Sequence, residues 1–265
     1  MSRITLSHLK KMKAHGEKIA VLTAYDASFS TLLSEAGLDA MLVGDSLGTV
    51  MSGHTTTVPV TMQDMLHHVR NVSRAAPKSL VIADMPYMSY PTVEKALENA
   101  AQLMQAGGEM VKLEGGIWLK PIIEQLTEKG IPVCAHLGLT PQSVHMLGGY
   151  KVQGRNAAQA EELLNAALNH QASGAQMLVL ECVPWPLAQN ITLAVKIPVI
   201  GIGAGPHCDG QVQVTYDILG ITPGKPFTFV KNFMLDQKQG ISAAIKDYIH
   251  AVKTEAFPTM EHSFS

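Results

Sequence analysis

The sequence predicts an α/β fold, a single (β/α)8 TIM barrel over residues 1–265 with an additional helical segment at the C-terminal end. Three observations predict it. Short, β-branched apolar runs recur along the chain, amphipathic helix patterns separate most of them, and no linker-like or low-complexity stretch divides the series. Continuous apolar runs suit strands covered on both faces, as in a parallel sheet. A β-α alternation repeated about eight times over a chain of this length suits one closed barrel. An open doubly wound sheet is the competing arrangement.

The runs are IAVLTAYD (19–26), AMLVGDS (40–46), SLVIADMP (79–86), MVKLEGG (110–116) and PVCAHLGL (132–139). They continue with QMLVLECV (176–183), PVIGIGAG (198–205) and, least clearly, VQVTYD (212–217). Among the helices, Thr61 and Asp64 have capping-box spacing before Met62, Met65, Leu66, Val69 and Val72, with Pro77 as a stop. Val93, Ala96, Leu97, Ala100 and Met104 form a second stripe, closed by Gly107 and Gly108. Residues 156–174 form a third helix pattern, with Asn156 as N-cap and Gly174 just past the end. The last helical pattern is ISAAIKDYIHAVKTEAF (241–257), followed by a short polar tail.

Composition narrows the function classes. Apolar residues make up 46% and charged residues 16%, enough for a sizeable core, and the net charge is -2. No basic run resembles a nucleic-acid footprint. Cys134, Cys182 and Cys208 are an odd set without C-x-x-C spacing, which favours a reducing compartment over disulfides or structural zinc. The charged N-terminus lacks a signal-peptide core, and no apolar stretch approaches the roughly 20 residues that span a membrane. The expectation is a cytoplasmic chain with neither nucleic-acid nor membrane partners.

In a parallel barrel the site lies at the C-terminal ends of the strands. Asp45 and Ser46, Asp84, Lys112 and Glu114, His136, and Glu181 all fall there. Alternation puts Lys112 and Glu114 on one face of their strand, and Glu181 on the face of Val179 and Met177. That apolar backing suits a general base. Four acids, Asp45, Asp84, Glu114 and Glu181, face one cation, Lys112. A hard divalent ion such as Mg²⁺ would relieve the imbalance better than zinc, because the ligands would all be carboxylates. Each residue also has a structural reading. Asp45 and Asp84 could cap helices, Lys112 and Glu114 could pair with each other, and His136 could be a hydrogen-bonded core histidine. Asp26 reads as turn chemistry, and GIGAG (201–205) is weak evidence for an anion cradle.

The stretches TAYD, LVGDSLG, ADMPY, VKLEGG, HLGLTPQSV, GGYKVQGR, LVLECVP and PVIGIGAG, in this order, resemble the ketopantoate hydroxymethyltransferase family over nearly the whole chain. The resemblance implies a (β/α)8 barrel that moves a hydroxymethyl group from 5,10-methylenetetrahydrofolate to 3-methyl-2-oxobutanoate. It implies that Asp45, Asp84 and Glu114 serve Mg²⁺ and that Ser46 and Asp45 hold the substrate, with Asp84 and Lys112. It makes Glu181 the proton acceptor, sets His136 near the substrate, and implies a homodecamer. Thr49, GHTTT (53–57) and Trp185-Pro186 depart from the usual family pattern at positions flanking the site. One alternative is another Mg²⁺-dependent 2-oxo-acid lyase or mutase of the phosphoenolpyruvate/isocitrate-lyase type, which would carry a KKCGH-like motif absent from this sequence. The other is a non-catalytic oxo-acid-binding barrel.

Overall fold

The computed structural model describes every residue except 1, 2, 77 and 236. Helix α1 (Leu6–His15) leads into β1 (Ile19–Thr23) and α2 (Ala27–Ala36), then β2 (Ala40–Val43), the short α3 (Leu47–Val50) and α4 (Met62–Ala75). The alternation continues through β3 (Leu80–Asp84), α5 (Val93–Gln105), β4 (Met110–Glu114), α6 (Lys120–Glu128) and β5 (Val133–Gly138). Next come α7 (Val144–Leu147), α8 (Ala157–Ala172), β6 (Met177–Glu181), α9 (Trp185–Ala194), β7 (Val199–Ile202), β8 (Gly210–Gln213), α10 (Thr215–Ile218) and α11 (Ile241–Lys253). All eight strands are parallel and close in sequence order, β8 pairing with β1. The predicted barrel is therefore the observed one, and the open sheet is excluded.

Local chemistry sets the helix starts as the sequence predicts. Asp64 Oδ2 accepts from Thr61 N at 2.9 Å while Asp64 N donates to Thr61 Oγ1 at 3.2 Å. Asn156 Oδ1 accepts from Gln159 N at 2.9 Å, and Asp26 Oδ1 caps α2 from Phe29 N at 2.9 Å. Asp26, read as turn chemistry, is instead the N-cap of α2. Pro77, read as a helix stop, lies outside the described residues.

The eighth strand differs from expectation. It spans Gly210–Gln213 rather than 212–217, and the chain turns into α10 two residues later. Thr23 causes the turn: its Oγ1 accepts from Thr215 N at 3.0 Å, and Thr215 Oγ1 donates to Thr23 O. With that N–H occupied, the ladder ends. The link from β7 to β8 carries no helix among its residues 203–209, an exception to the regular alternation.

Two apolar layers result. Outward-facing strand residues such as Ala20, Met41, Val81, Val111 and Leu178 pack against the helices. Inside, Ile19, Val21, Leu42, Ile82, Met110, Cys134, Met177, Val179, Ile200 and Val212 fill the barrel, and Leu9 and Met12 of α1 pack onto that cluster. Full burial of each such side chain stabilises the fold by roughly 1.5–3 kcal/mol. No helix among the described residues is long and apolar enough to cross a membrane.

The β1–β8 seam is held from outside by Tyr248 of α11. Its hydroxyl lies 2.9 Å from Val21 O and 3.0 Å from Gln211 O, so one O–H serves both strands. Tyr248→Phe should therefore lower the unfolding free energy by about 1 kcal/mol or somewhat more in urea titrations. An unchanged midpoint would show that the seam does not need the hydroxyl.

Candidate active site

Strand register assembles the charged cluster. On the inward face of β3 to β6 the residues run from apolar at the bottom to polar at the top: Ile82 then Asp84, Met110 then Lys112 and Glu114, Cys134 then His136, Val179 then Glu181. Asp84 stands opposite Lys112 across β3–β4, and Glu114 opposite His136 across β4–β5. Lys112 Nζ donates to Asp84 Oδ1 at 2.5 Å and to Glu114 Oε1 at 3.2 Å. The Lys112–Glu114 pairing expected as a purely structural alternative is present, but only as one edge of a larger cluster.

Asp45 and Ser46 arrive on the loop between β2 and α3. Asp84 Oδ2 accepts from the backbone N–H of Asp45 at 3.1 Å, which ties that loop to β3. Asp45 Oδ2 accepts from Gln142 Nε2 at 2.9 Å, and Ser46 Oγ lies 2.9 Å from Tyr25 Oη. Neither aspartate caps a helix: the N-cap of α3 is Ser46 and that of α5 is Thr92. Gln142 also donates its backbone N–H to Glu114 Oε2 at 3.0 Å, and its Oε1 accepts from Tyr90 Oη at 2.6 Å. A single loop residue after β5 thus positions two of the acids.

His136 sits between two carboxylates. Its Nδ1 is 3.1 Å from Glu114 Oε1 and its Nε2 is 3.3 Å from Glu181 Oε2. The second contact has ion-pair distance but poor hydrogen-bond alignment, which leaves Nε2 buried and without a well-directed partner. That nitrogen can turn to a ligand oxygen. Glu181 is held at the rim by Gly138, its partner across β5–β6. Gly138 has φ of 93°, and a Cβ there would lie 2.2 Å from Glu181 O, so only glycine permits this approach.

The electrostatics follow from burial and neighbours. Burial would lower the Lys112 ammonium, but Asp84, Glu114 and Asp45 hold it well above its ordinary value. Burial and the charges of Asp84 and Glu114 push Asp45 well up, against weaker pulls from Lys112 and Gln142. Burial also raises Asp84, despite Lys112. Glu114 behaves oppositely. Burial pushes it up, yet Lys112, His136 and the Gln142 N–H together bring it down to about 2. Burial and Lys112 lower His136, but Glu114 and Glu181 hold it at about 9.

The fit of a hard cation can be judged from these donors. Among the described residues no three His, Cys, Asp or Glu side chains form a self-sufficient metal cage. Mg²⁺ needs none, since it commonly uses one or two carboxylates and fills its shell with waters and substrate. A carboxylate has about four acceptor sites. Asp45 uses one on a protein donor, Asp84 two and Glu114 three. Spare capacity therefore decreases from Asp45 to Asp84 to Glu114. Burial first, and then the charges of Asp84 and Glu114, raise Asp45, and the second of these is the kind of imbalance a cation relieves, so the residues fit.

All of these side chains open into one cavity of about 830 Å³ at the C-terminal ends of the strands. Sequence reasoning finds Asp45, Ser46, Asp84, Lys112, Glu114, His136 and Glu181, and the structure brings all seven to that cavity. It misses Tyr25, Tyr90 and Gln142, and also the far wall made by Tyr150, residues 222–229 and Phe264. The glycines of GIGAG pack rather than cradle: Cβ atoms at Gly203 and Gly205 would meet Phe229 at 2.9 Å and Trp185 at 2.5 Å. The three cysteines are buried free thiols, with burial pushing Cys134 and Cys208 up to about 12.

A barrel gains no stability from burying Asp45, Asp84 and Glu114 around Lys112, with Glu181 at the rim, since well-packed apolar residues do as well or better. Fold and site together define a (β/α)8-barrel enzyme. Residues 3–260 match the family model described as ketopantoate hydroxymethyltransferase, and the chain belongs to that family. It is 56% identical to the 3-methyl-2-oxobutanoate hydroxymethyltransferases of Nitrosococcus oceani and Shewanella loihica, in each case over all 265 residues and the full length of both chains. Among solved structures, 2,3-dimethylmalate lyase, a PEP mutase/isocitrate lyase superfamily member, superposes with a TM-score of 0.59 at 16% identity. That superposition covers 81% of this chain and 82% of the other, and it shows a shared fold.

The His136 value carries a pH prediction. Its imidazole is held at about 9, above the ordinary 6.5. The stabilisation from its charged form is therefore complete below the ordinary value and is lost as pH rises through about 9. In metal-free urea unfolding, His136→Asn should destabilise clearly at about pH 6 and much less above about pH 9. An equal loss at both ends would mean that the imidazolium is not the stabilising form.

Proposed function

We propose that this chain transfers a hydroxymethyl group from 5,10-methylenetetrahydrofolate to 3-methyl-2-oxobutanoate, giving 2-dehydropantoate. The observation that carries this reading is the placement of Glu181 on the rim of a cavity whose floor is the cationic and carboxylate cluster around Lys112. A carboxylate that takes a proton and a fixed positive field that receives the resulting charge are what enolisation of a 2-oxo acid needs. Family membership supplies the particular substrates.

Asp45 and Asp84 would hold Mg²⁺, which when bound supplies Lewis-acid polarisation of the keto oxygen. Ser46, positioned by Tyr25, would hold the substrate carboxylate together with the Asp45 loop. Glu181 takes the proton from C3, and the electron pair moves toward the keto oxygen. The Lys112 ammonium faces that developing negative charge, and the Nε2–H of His136, 3.3 Å from Glu181 Oε2, can turn to it. Glu114 keeps both cations in place through Oε1. C3 then forms its bond to the one-carbon unit, whose bonds to the folate nitrogens break. Water supplies the hydroxyl, and its other proton and the one held by Glu181 go to the two folate nitrogens as tetrahydrofolate leaves. The reading extends to a cytoplasmic homodecamer, supported by the family resemblance.

The lyase or mutase alternative of the same fold lacks support in the cysteines. Cys182 lines the cavity, but burial and the Glu181 charge hold its thiol up and neutral.

Incubation with 3-methyl-2-oxobutanoate and Mg²⁺ in D₂O, without folate, should exchange the C3 hydrogen, as followed by proton NMR. Glu181→Gln should slow that exchange by a factor on the order of 10² or more, the usual contribution of a general base. Near wild-type exchange in Glu181→Gln would remove Glu181 from the role.

A further inference from the structure

The cavity has two walls of opposite character. One is the charged floor described above. The other consists of Tyr150, the segment 222–229 and Phe264, and the proposed oxo acid gives none of them a task. A volume of about 830 Å³ lies in the range that encloses drug-sized ligands, well beyond what a small branched oxo acid fills.

The second wall is built from rings. Phe229 is buried, seated over Gly203 and edge-on to Phe264 at 6.5 Å. Phe227 stacks on it with centroids 5.3 Å apart and planes within 4°, and Tyr150 tilts against Phe227 at 5.9 Å. The anchored ring thus supports two others that stay 50% and 44% exposed while lining the cavity. Stacked aromatic faces left open in a concave site are surface for a flat ligand. Two charged groups border them. Asp217 lines the cavity with one oxygen, Oδ1, held by Thr222 Oγ1 at 2.5 Å and the other without a hydrogen-bond partner among the described residues. Burial raises its carboxyl. Lys225 is exposed at the rim.

We propose that this wall is the binding site for the one-carbon donor: Asp217 accepts from the N–H edge of its aminopyrimidinone ring, Phe227 and Tyr150 stack on its aromatic rings, and Lys225 faces its carboxylate tail. The assignment rests on the reading above that a folate is the co-substrate. A carboxylate can take two parallel N–H bonds from a cyclic amidine-like edge, one on each oxygen; Oδ2 of Asp217 is unengaged, and Oδ1 keeps a second lone pair beside the one Thr222 uses. Stacking on rings fixed by packing orients the one-carbon unit toward the floor, where the oxo acid sits. The segment 222–229, which carries both Asp217's clamp and Phe227, is the structural link between the two contacts.

The test is tetrahydrofolate binding to the Mg²⁺-loaded full chain by calorimetry, with Mg²⁺-dependent C3 exchange followed in parallel. Asp217→Asn and Phe227→Ala should each weaken tetrahydrofolate by about tenfold or more, with a smaller effect on exchange. Wild-type affinity in both variants overturns the assignment. So does an equal loss of affinity and exchange, because that gives the two residues a purely structural role. If the unmodified chain exchanges C3 but does not bind tetrahydrofolate, the folate site is wrong while enolisation stands. If it does neither, the proposed function itself fails and takes this inference with it.

Discussion

The ammonium of Lys112, sealed between Asp84 and Glu114 at the top of the barrel, is the interaction on which the site depends. Breaking a buried pair of this kind by removing one partner costs about 3–5 kcal/mol, because the other charge is left unsatisfied. Register supplies both partners at once. Asp84 is the residue opposite on β3, and Glu114 is two residues further along the same strand. A slip of one residue would turn Lys112 outward into the apolar layer beneath the helices. Strand register and charge pairing therefore fix each other, and His136 joins through the next strand.

This arrangement needs one end of the barrel to be apolar and the other to be wet. Leu9 and Met12 of α1 join the inward apolar residues, so the polar residues collect where the strands end. The charged floor and the aromatic wall then face each other across one cavity. Enolate chemistry needs the first, and a large flat co-substrate would need the second. Gln142 and Tyr90 lie behind the floor and take no place in the proposed chemistry, yet they hold Asp45 and Glu114 through four contacts of 2.9–3.2 Å.

The fold was legible because the apolar runs are long and the helix caps are local. Thr61 with Asp64, and Asn156, announce their helices within four residues. The charged cluster was legible for a similar reason, since acids and a lysine inside apolar runs stand out against their neighbours. Gln142, Tyr90 and Tyr25 did not stand out. They are ordinary polar or aromatic residues, and only the tertiary fold brings Gln142 and Tyr90 to the acids and Tyr25 to Ser46. β8 ends earlier than its apolar run suggests because Thr23, nearly 200 residues away in the chain, takes the Thr215 N–H. Residues 222–229 carry no periodic pattern, so nothing in their sequence separates a cavity wall from a connecting loop. In the sequence nothing separates Glu114 from Asp45 and Asp84 as an acid for a cation, whereas in the structure it has the least spare acceptor capacity of the three.

The central claim is that Lys112 and His136 together leave the four acids short of positive charge and that a divalent cation would complete the cluster at Asp45 and Asp84. Calorimetric titration of Mg²⁺ into the apo-protein, in buffers of different ionisation enthalpy, tests it directly. Asp45 is held well above its ordinary value, so below that raised value it carries a proton that the cation must displace. The predicted result is Mg²⁺ binding that releases a proton, with affinity falling and release growing as pH drops. Binding that is independent of pH and buffer, or no binding at all, would contradict the account.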